Sequence, residues 1–281
     1  MRFVLENKRA LVTGASVGIG RGLAKALAAR GVRVAVAARR VAALDELAEE
    51  IARSGHPRPM VLEADLSRRG AAADLAARAV TALGQVDILF NNAGASVVGS
   101  QFGAGDNDDM RGIFEINYWS PLALIQALVP AMRQRRDGAV VNVTSLSGVT
   151  AWVFTGHYSS TKAALSLASE TLRLELNGSG VHVMELMAGP IETALLARAR
   201  DNVPGAGTAI SWGPRRTVEQ LSGRAMRALE RRQKVLVYPR ALGLAPIFPI
   251  PSRWIMNLLQ RKLDGDPSRI AKDRAAKTGG G

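Results

Sequence analysis

Tyr158-Ser159-Ser160-Thr161-Lys162 places a phenol and an amine four residues apart, a spacing that sets both on one face of a helix. A free tyrosine ionises near pH 10 and is a poor acid or base at neutrality. A cation beside it favours the phenolate, each unit of depression corresponding to about 1.4 kcal/mol. Lys162 could therefore tune Tyr158 into a proton carrier. Taken alone, such a pair is more often a surface pair. Ser145 closes the apolar run Val140-Val141-Asn142-Val143-Thr144. Its hydroxyl could hydrogen-bond a carbonyl and stabilise a developing alkoxide. No Gly-x-Ser-x-Gly elbow surrounds it, which argues against a nucleophile. Asn117 lies in a helical stretch where Asn is a mediocre helix former. It is either a solvent-facing polar residue or, given the neighbours Ile113, Phe114 and Ile116, an inward one that holds water.

A second group of residues suits phosphate. Thr13-Gly14-Ala15-Ser16-Val17-Gly18-Ile19-Gly20 follows an apolar strand and opens an Ala-rich helix. Glycines there let the backbone turn tightly and approach a pyrophosphate, whose charge the helix N-terminus then meets. Arg39 and Arg40 stand at the end of the second strand, where an acid would accept hydrogen bonds from an adenosine ribose. Two guanidiniums suit a 2′-phosphate instead, through bidentate donors and permanent charge. This favours NADP over NAD; the alternative is a solvated loop pair. Asp65-Leu66 and Asn91-Asn92-Ala93-Gly94 end the third and fourth strands, where ligands of such sheets collect. Asp65 could accept from an adenine amino group, or serve as a helix N-cap.

The elements that must position these groups are legible as alternating short apolar runs and longer Ala-rich segments. Strands are predicted over Ala10–Thr13, Val32–Ala37, Met60–Glu63, Ile88–Asn91, Ala139–Thr144, Val181–Leu186 and Lys234–Tyr238. Helices are predicted over Gly18–Arg30, Val41–Arg53, Ala71–Leu83 and Thr217–Arg232, the last with Thr217 and Gln220 spaced as a capping box. Continuous apolar strands separated by helices indicate parallel strands buried on both faces. The crossover rule then gives an α/β fold, a Rossmann-like doubly wound parallel sheet with helices on both faces. Residues 1–239 are expected to form one dinucleotide-binding catalytic domain. Residues 240–281 are expected to form a basic amphipathic extension.

Composition narrows the function classes. The 281 residues are 47% apolar and 22% charged, as in a folded globular protein. There is no cysteine, which excludes disulfides and thiolate catalysis, and three scattered histidines give no metal-ligand spacing. The N-terminal apolar run breaks after three residues, unlike a secretory signal, and no run of about 18 apolar residues suggests a spanning helix. A cytoplasmic location is the expectation. Lys and Arg number 37 against 24 Asp and Glu, a net charge of +13. Residues 213–281 carry 15 cations and 5 acids, net +10, and residues 1–212 carry 22 and 19, net +3. The cations are not interleaved with stacking aromatics, and no nucleic-acid-binding motif is present, so nucleic acid is not the expected partner.

Taken in order and spacing, Thr13–Gly20, Asp65, Asn91–Gly94, Asn117, Ser145, Tyr158 and Lys162 resemble the short-chain dehydrogenase/reductase family. Ser145 precedes Tyr158 by the family's usual 13 positions, and Gly189-Pro190-Ile191-Glu192-Thr193 is similar to its motif after the sixth strand. The likeness spans roughly residues 6–238. One departure is Ala188-Gly189-Pro190, which shifts the family's usual Pro-Gly. The resemblance implies an NADP(H)-dependent oxidoreductase interconverting a ketone or aldehyde and an alcohol. Asn117, Ser145, Tyr158 and Lys162 would be catalytic: Tyr158 gives the proton, Ser145 holds the carbonyl, Lys162 lowers the Tyr158 pKa, and Asn117 positions a water. Cofactor contacts are expected from Gly14, Ser16, Gly18, Ile19, Gly20, Arg39, Arg40, Asp65, Leu66, Asn92, Ala93, Gly94, Tyr158, Lys162, Pro190, Ile191 and Thr193. A homodimer or homotetramer through the helices carrying Asn117 and Tyr158 is implied too. The alternative is a nucleotide-sensing or scaffold protein on the same fold, which would be expected to have lost Tyr158 or Lys162.

Trp152 and Phe154 lie between the serine and the tyrosine, and Leu195 and Trp212 fall in the segment after the sixth strand. Together they suggest a hydrophobic substrate; singly each is equally a core residue. In the tail, Trp254, Ile255, Leu258 and Leu259 form one helical face beside Arg253, Arg261 and Lys262. Such a helix packs on the domain, lids the site, joins copies, or lies peripherally on an anionic membrane through 240–262.

Overall fold

Apolar runs of Val, Ile, Leu and Ala with no polar alternation demand cover on both faces, and the sheet supplies it. The computed structural model describes residues 2–96, 101, 105–191 and 216–260. Seven strands run as β1 (Arg9–Thr13), β2 (Arg33–Ala38), β3 (Met60–Glu63), β4 (Ile88–Asn91), β5 (Gly138–Ser145), β6 (Val181–Ala188) and β7 (Val235–Tyr238). All pair in parallel, in the order β3-β2-β1-β4-β5-β6-β7. In β1, Ala10 and Val12 join a core with Leu23, Leu44 and Leu229 on one face, while Leu11 joins Leu75, Leu124 and Met132 on the other.

The helices are α1 (Gly18–Ala28), α2 (Val41–Arg53), α3 (Ala71–Leu83), α4 (Asp108–Phe114), α5 (Ser120–Arg135), α6 (Gly156–Glu175), α7 (Val218–Glu230) and α8 (Pro249–Gln260). A π turn, Glu115–Trp119, joins α4 to α5. The chain winds outward from β1 to β3 and then returns to the other side of β1 at β4. That reversal opens a crevice beyond the carboxyl ends of β1 and β4, where ligands of such sheets bind.

One local expectation is half met. Thr217 Oγ1 accepts from the Gln220 amide at 3.3 Å, as a capping box requires. The Gln220 side chain does not reach back; its Oε1 accepts from the Tyr238 hydroxyl at 3.0 Å, which ties α7 to β7.

Candidate active site

The phosphate end forms where two carboxyl-terminal loops are pressed together. Gly14 and Gly18 have φ of +65° and +58°, which glycine adopts without steric cost. A Cβ on Gly20 would stand 2.4 Å from both the Gly14 oxygen and Asn92 Nδ2, so only hydrogen fits. Asn92 Nδ2 donates to the carbonyls of Thr13 at 2.9 Å and Gly14 at 3.2 Å. Thr13 Oγ1 accepts from the amides of Asn92 and Ala93 at 3.0 Å each, and donates to the Phe90 carbonyl at 3.1 Å. The hydroxyl of Thr13 is thus the peg that joins β1 to β4, a role its place at the head of the glycine motif did not announce. Val17 at the N-cap of α1 offers no side-chain cap, and the first turn carries no acid. The first-turn amides of α1, with Ile19 half-buried beside the core, are left to meet an anion.

Arg40 reaches back to this loop, its Nη2 donating to Ser16 Oγ at 3.2 Å. Asp65 Oδ1 accepts from the Ser67 hydroxyl at 2.7 Å and amide at 3.1 Å, an Asx turn. Those bonds, with the nearby charges of Arg39 and Arg68, hold the Asp65 carboxyl below its ordinary pKa. Asp65 is not the cap of the next helix: α3 starts at Ala71 with Gly70 at its N-cap. The Leu66 side chain is in the core, and its carbonyl accepts from Ser120 Oγ at 2.8 Å.

At the chemical end, β5 delivers Ser145 and α6 delivers Tyr158 and Lys162 one turn apart. Ser145 Oγ accepts from the Ser147 amide at 3.2 Å and from the Ser147 hydroxyl at 2.9 Å, and the Ser145 hydroxyl hydrogen-bonds the Tyr158 phenol. Ser147 was not foreseen; its signal is the Ser-x-Ser spacing of a hydroxyl turn. Lys162 is 5% exposed, and its Nζ donates to the Val143 carbonyl at 2.9 Å. Burial lowers its pKa from 10.5 to about 8. Burial raises the Tyr158 pKa above its ordinary value, with the Ser145 hydrogen bond opposing. The expectation that Lys162 lowers the Tyr158 pKa is therefore not met by the chain alone. Desolvation disfavours both ions, and the ammonium stands 5.9 Å from the ring centroid.

Asn117 lies in the π turn and is fully buried. Its Oδ1 accepts from the Ala95 amide at 2.9 Å, and its Nδ2 donates to the Ala95 carbonyl and to Thr161 Oγ1, each at 2.9 Å. Both amide protons are committed, so Asn117 clamps the chain after β4 rather than presenting a free amide. A Cβ on Gly94 would lie 3.1 Å from Asn117 Oδ1 and 3.5 Å from Lys162 Nζ, so these three expected site residues converge. Below them Asn91 Nδ2 donates to Asn142 Oδ1 at 2.9 Å, and Asn142 Nδ2 donates to Ser169 Oγ at 2.8 Å. This buried chain fixes α6 against β4 and β5. Two asparagines inside otherwise apolar strands were its signal, since a buried amide needs partners.

The substrate side is described in part. Phe154 is 6% exposed and held at φ +66°, a conformation that needs support from its surroundings. Trp152 and His157 are half-buried. The Ile191 side chain is in the core and Pro190 is exposed, so an Ile191 contact to a nicotinamide carboxamide would come from its main chain. Thr193, Leu195 and Trp212 lie outside the described residues. Among the described residues no group of acids and histidines is placed to hold a metal ion.

Comparison with known proteins agrees with this geometry. The family model for short chain dehydrogenases matches residues 8–204. Dehydrogenase/reductase SDR family member 7B of Bos taurus is 35% identical over 204 residues, covering 71% of this chain and 62% of that protein. The chain thus spans about six-tenths of the length of that relative. The protein named fatty acyl-CoA reductase Rv0547c of Mycobacterium tuberculosis is 32% identical over 265 residues, 92% of this chain and 85% of its own. Among solved structures, a short-chain dehydrogenase from Sphingobium yanoikuyae in complex with NADPH superposes with a TM-score of 0.75 at 27% identity, over 89% of this chain and 94% of that one.

Proposed function

The chain belongs to the short-chain dehydrogenase/reductase family, and from that premise we propose that it is an NADPH-dependent reductase of hydrophobic carbonyl compounds. The observation that carries this reading is the convergence of Ser145, Tyr158, Lys162 and Asn117 beyond β4 and β5, beside a loop that accepts only glycine at Gly20. The cofactor fits the residues present. The amides at the start of α1 suit a pyrophosphate, and Arg39, Arg40 and the Ser16 hydroxyl suit a ribose 2′-phosphate. Lys162 uses one of its three donors on Val143, which leaves two for ribose hydroxyls. The solved relative with NADPH bound supports the same preference.

A bound nicotinamide supplies the hydride that reduces a carbonyl carbon, or takes it back from an alcohol. The chain does the rest. Ser145 donates to the substrate oxygen and fixes it beside the Tyr158 phenol. Tyr158, whose pKa burial holds up, stays protonated at neutral pH and gives that oxygen its proton. Lys162, a buried cation with no carboxylate partner among the described residues, does not offset that burial by itself; with a bound oxidised nicotinamide adding its positive charge, the pair would stabilise the phenolate left behind. Asn117 keeps Gly94 and Ala95 against Lys162. Water that refills the proton would bond the main chain of the π turn, because the Asn117 amide protons are already committed.

The apolar substrate class is supported by Trp152 and Phe154 between Ser145 and Tyr158, and by the relative named for reducing fatty acyl-CoA. A panel of short polar and long-chain carbonyl compounds, read by NADPH oxidation, tests it. Long-chain aldehydes or ketones are expected to give the higher kcat/KM; a preference for short polar ones would reverse the reading. We place the protein in the cytoplasm as a homodimer or homotetramer, and light scattering of the purified chain checks the assembly.

A further inference from the structure

Helix α8 faces the wrong way for a segment held only by packing. Arg253, Met256 and Gln260 form the stripe turned to the domain, and Ile250, Trp254 and Leu258, spaced four apart, form the stripe on the other side. Ile250, Trp254, Ile255 and Leu258 are 77%, 65%, 51% and 48% exposed. The chain leading into α8 also exposes Leu244, Ile247 and Phe248. Of 17 large hydrophobic side chains exposed among the described residues, eight fall within Leu242–Leu258. A concentration of exposed apolar side chains of that kind within 17 residues points to an interaction surface.

What attaches α8 is polar. Gln260 Oε1 accepts from the Val153 amide at 2.8 Å, and its Nε2 donates to the Ala151 carbonyl at 2.8 Å. Arg253 Nε donates to the Val149 carbonyl at 2.9 Å. All three partners lie in the single stretch that leads from Ser145 to Tyr158. The polar side chains of α8 that reach the domain therefore hold the substrate-side loop, and Ile250, Trp254, Ile255 and Leu258 are left outward.

We propose that α8, with the turn before it, docks on an anionic lipid bilayer and through Gln260 and Arg253 joins that bilayer to the loop between Ser145 and Tyr158. Charge selects the occupant. From residue 240 onward the sequence has eight Lys and Arg against three Asp, and the C-terminal quarter holds +10 of the total +13. A second copy of this chain would bring the same cations against its own, whereas anionic headgroups neutralise them while the acyl boundary takes the apolar stripe. Trp254 has the amphipathic ring that suits the interface. Among the described residues no helix is long and apolar enough to cross a membrane, so α8 would lie on the surface.

The test uses the full chain and vesicles of phosphatidylglycerol mixed with phosphatidylcholine. Sedimentation with these vesicles is expected, weakening in high salt and failing with phosphatidylcholine alone. The triple variant Ile250→Ser, Trp254→Ser, Leu258→Ser should lose vesicle binding by about tenfold or more, because the stripe supplies the apolar area. It should keep its melting temperature and NADPH binding, since those side chains are exposed. No sedimentation by the wild type, or equal sedimentation by the variant, overturns the docking. So does a wild-type oligomer that the variant dissociates while neither binds vesicles. None of these readouts depends on catalysis, so their failure leaves the reductase reading untouched. Gln260→Ala should still sediment but show a raised KM for a long-chain carbonyl at unchanged NADPH affinity. An unchanged KM overturns the link to the loop.

Discussion

At the phosphate end of the site Arg39 and Arg40 stay in water, whereas at the chemical end Lys162 is buried to 5% exposure and its pKa falls to about 8. The first arrangement leaves the guanidiniums hydrated and asks the cofactor to come to them. The second makes charge costly, so that small changes nearby move a proton. The phosphate is met by exposed groups, and the chemistry is done among buried ones. The backbone follows the same division. Gly14 and Gly20 bring amides forward at the phosphate end, while Asn117, Asn142 and Ser169 lock side chains in place at the other.

Of the tests that bear on this contrast, removing the buried cation should have the largest effect. Lys162→Met is expected to lower turnover by about a thousandfold, within the range for losing a proton-transfer group. It should also raise the melting temperature. With a pKa of 10.5 unfolded and about 8 folded, the unfolded chain binds more protons between those values. Burial of Lys162 therefore destabilises the fold at neutral pH, and this penalty is relieved as pH rises from 8 towards 10.5. Methionine removes it. A variant that is inactive and less stable would break the contrast, because Lys162 would then be stabilising. Thermal unfolding beside steady-state rates decides.

At the phosphate end Arg39→Ala and Arg40→Ala should each weaken NADPH binding by about tenfold, the worth of a charge-assisted hydrogen bond, and leave NADH binding unaltered. Their melting temperatures should not move, since both side chains are exposed. Titration with the two cofactors separates this from a merely solvated pair, for which neither affinity changes.

The mildest test is pH. The reductive kcat/KM should fall on the alkaline side, reaching half near pH 8 as the Lys162 ammonium deprotonates; Tyr158, with its pKa raised, titrates later. Lys162→Arg keeps the charge and should remove this limb at reduced overall rate. A limb that persists in the arginine variant assigns the proton elsewhere.

Much of this was legible because each element carries its own signal. Apolar runs such as Val140–Val143 announce strands covered on both faces, and the observed strands differ from expectation by a residue or two at their ends. Gly14 and Gly20 announce a close approach. What was hidden depends on tertiary neighbours. Asn117 reads as a water-holding amide until Ala95, after β4, and Thr161, on α6, are seen to take its two amide protons. Gln220 reads as half of a capping box until Tyr238, on the far strand, competes for it. The Tyr158–Lys162 spacing predicts a shared face but not burial, and burial sets both pKa values. The tail was readable as amphipathic, yet only the structure shows that Gln260 is buried against the loop and that the exposed Arg253 reaches the Val149 carbonyl.

The claim on which the rest depends is that Tyr158 donates the proton while cofactor binding resides elsewhere. Tyr158→Phe keeps the ring and removes one oxygen. Measured side by side, its NADPH dissociation constant should stay within about twofold of the wild type, and its turnover of a carbonyl substrate should fall by about a thousandfold or more. Turnover that survives in this variant, with NADPH bound as before, would contradict the account.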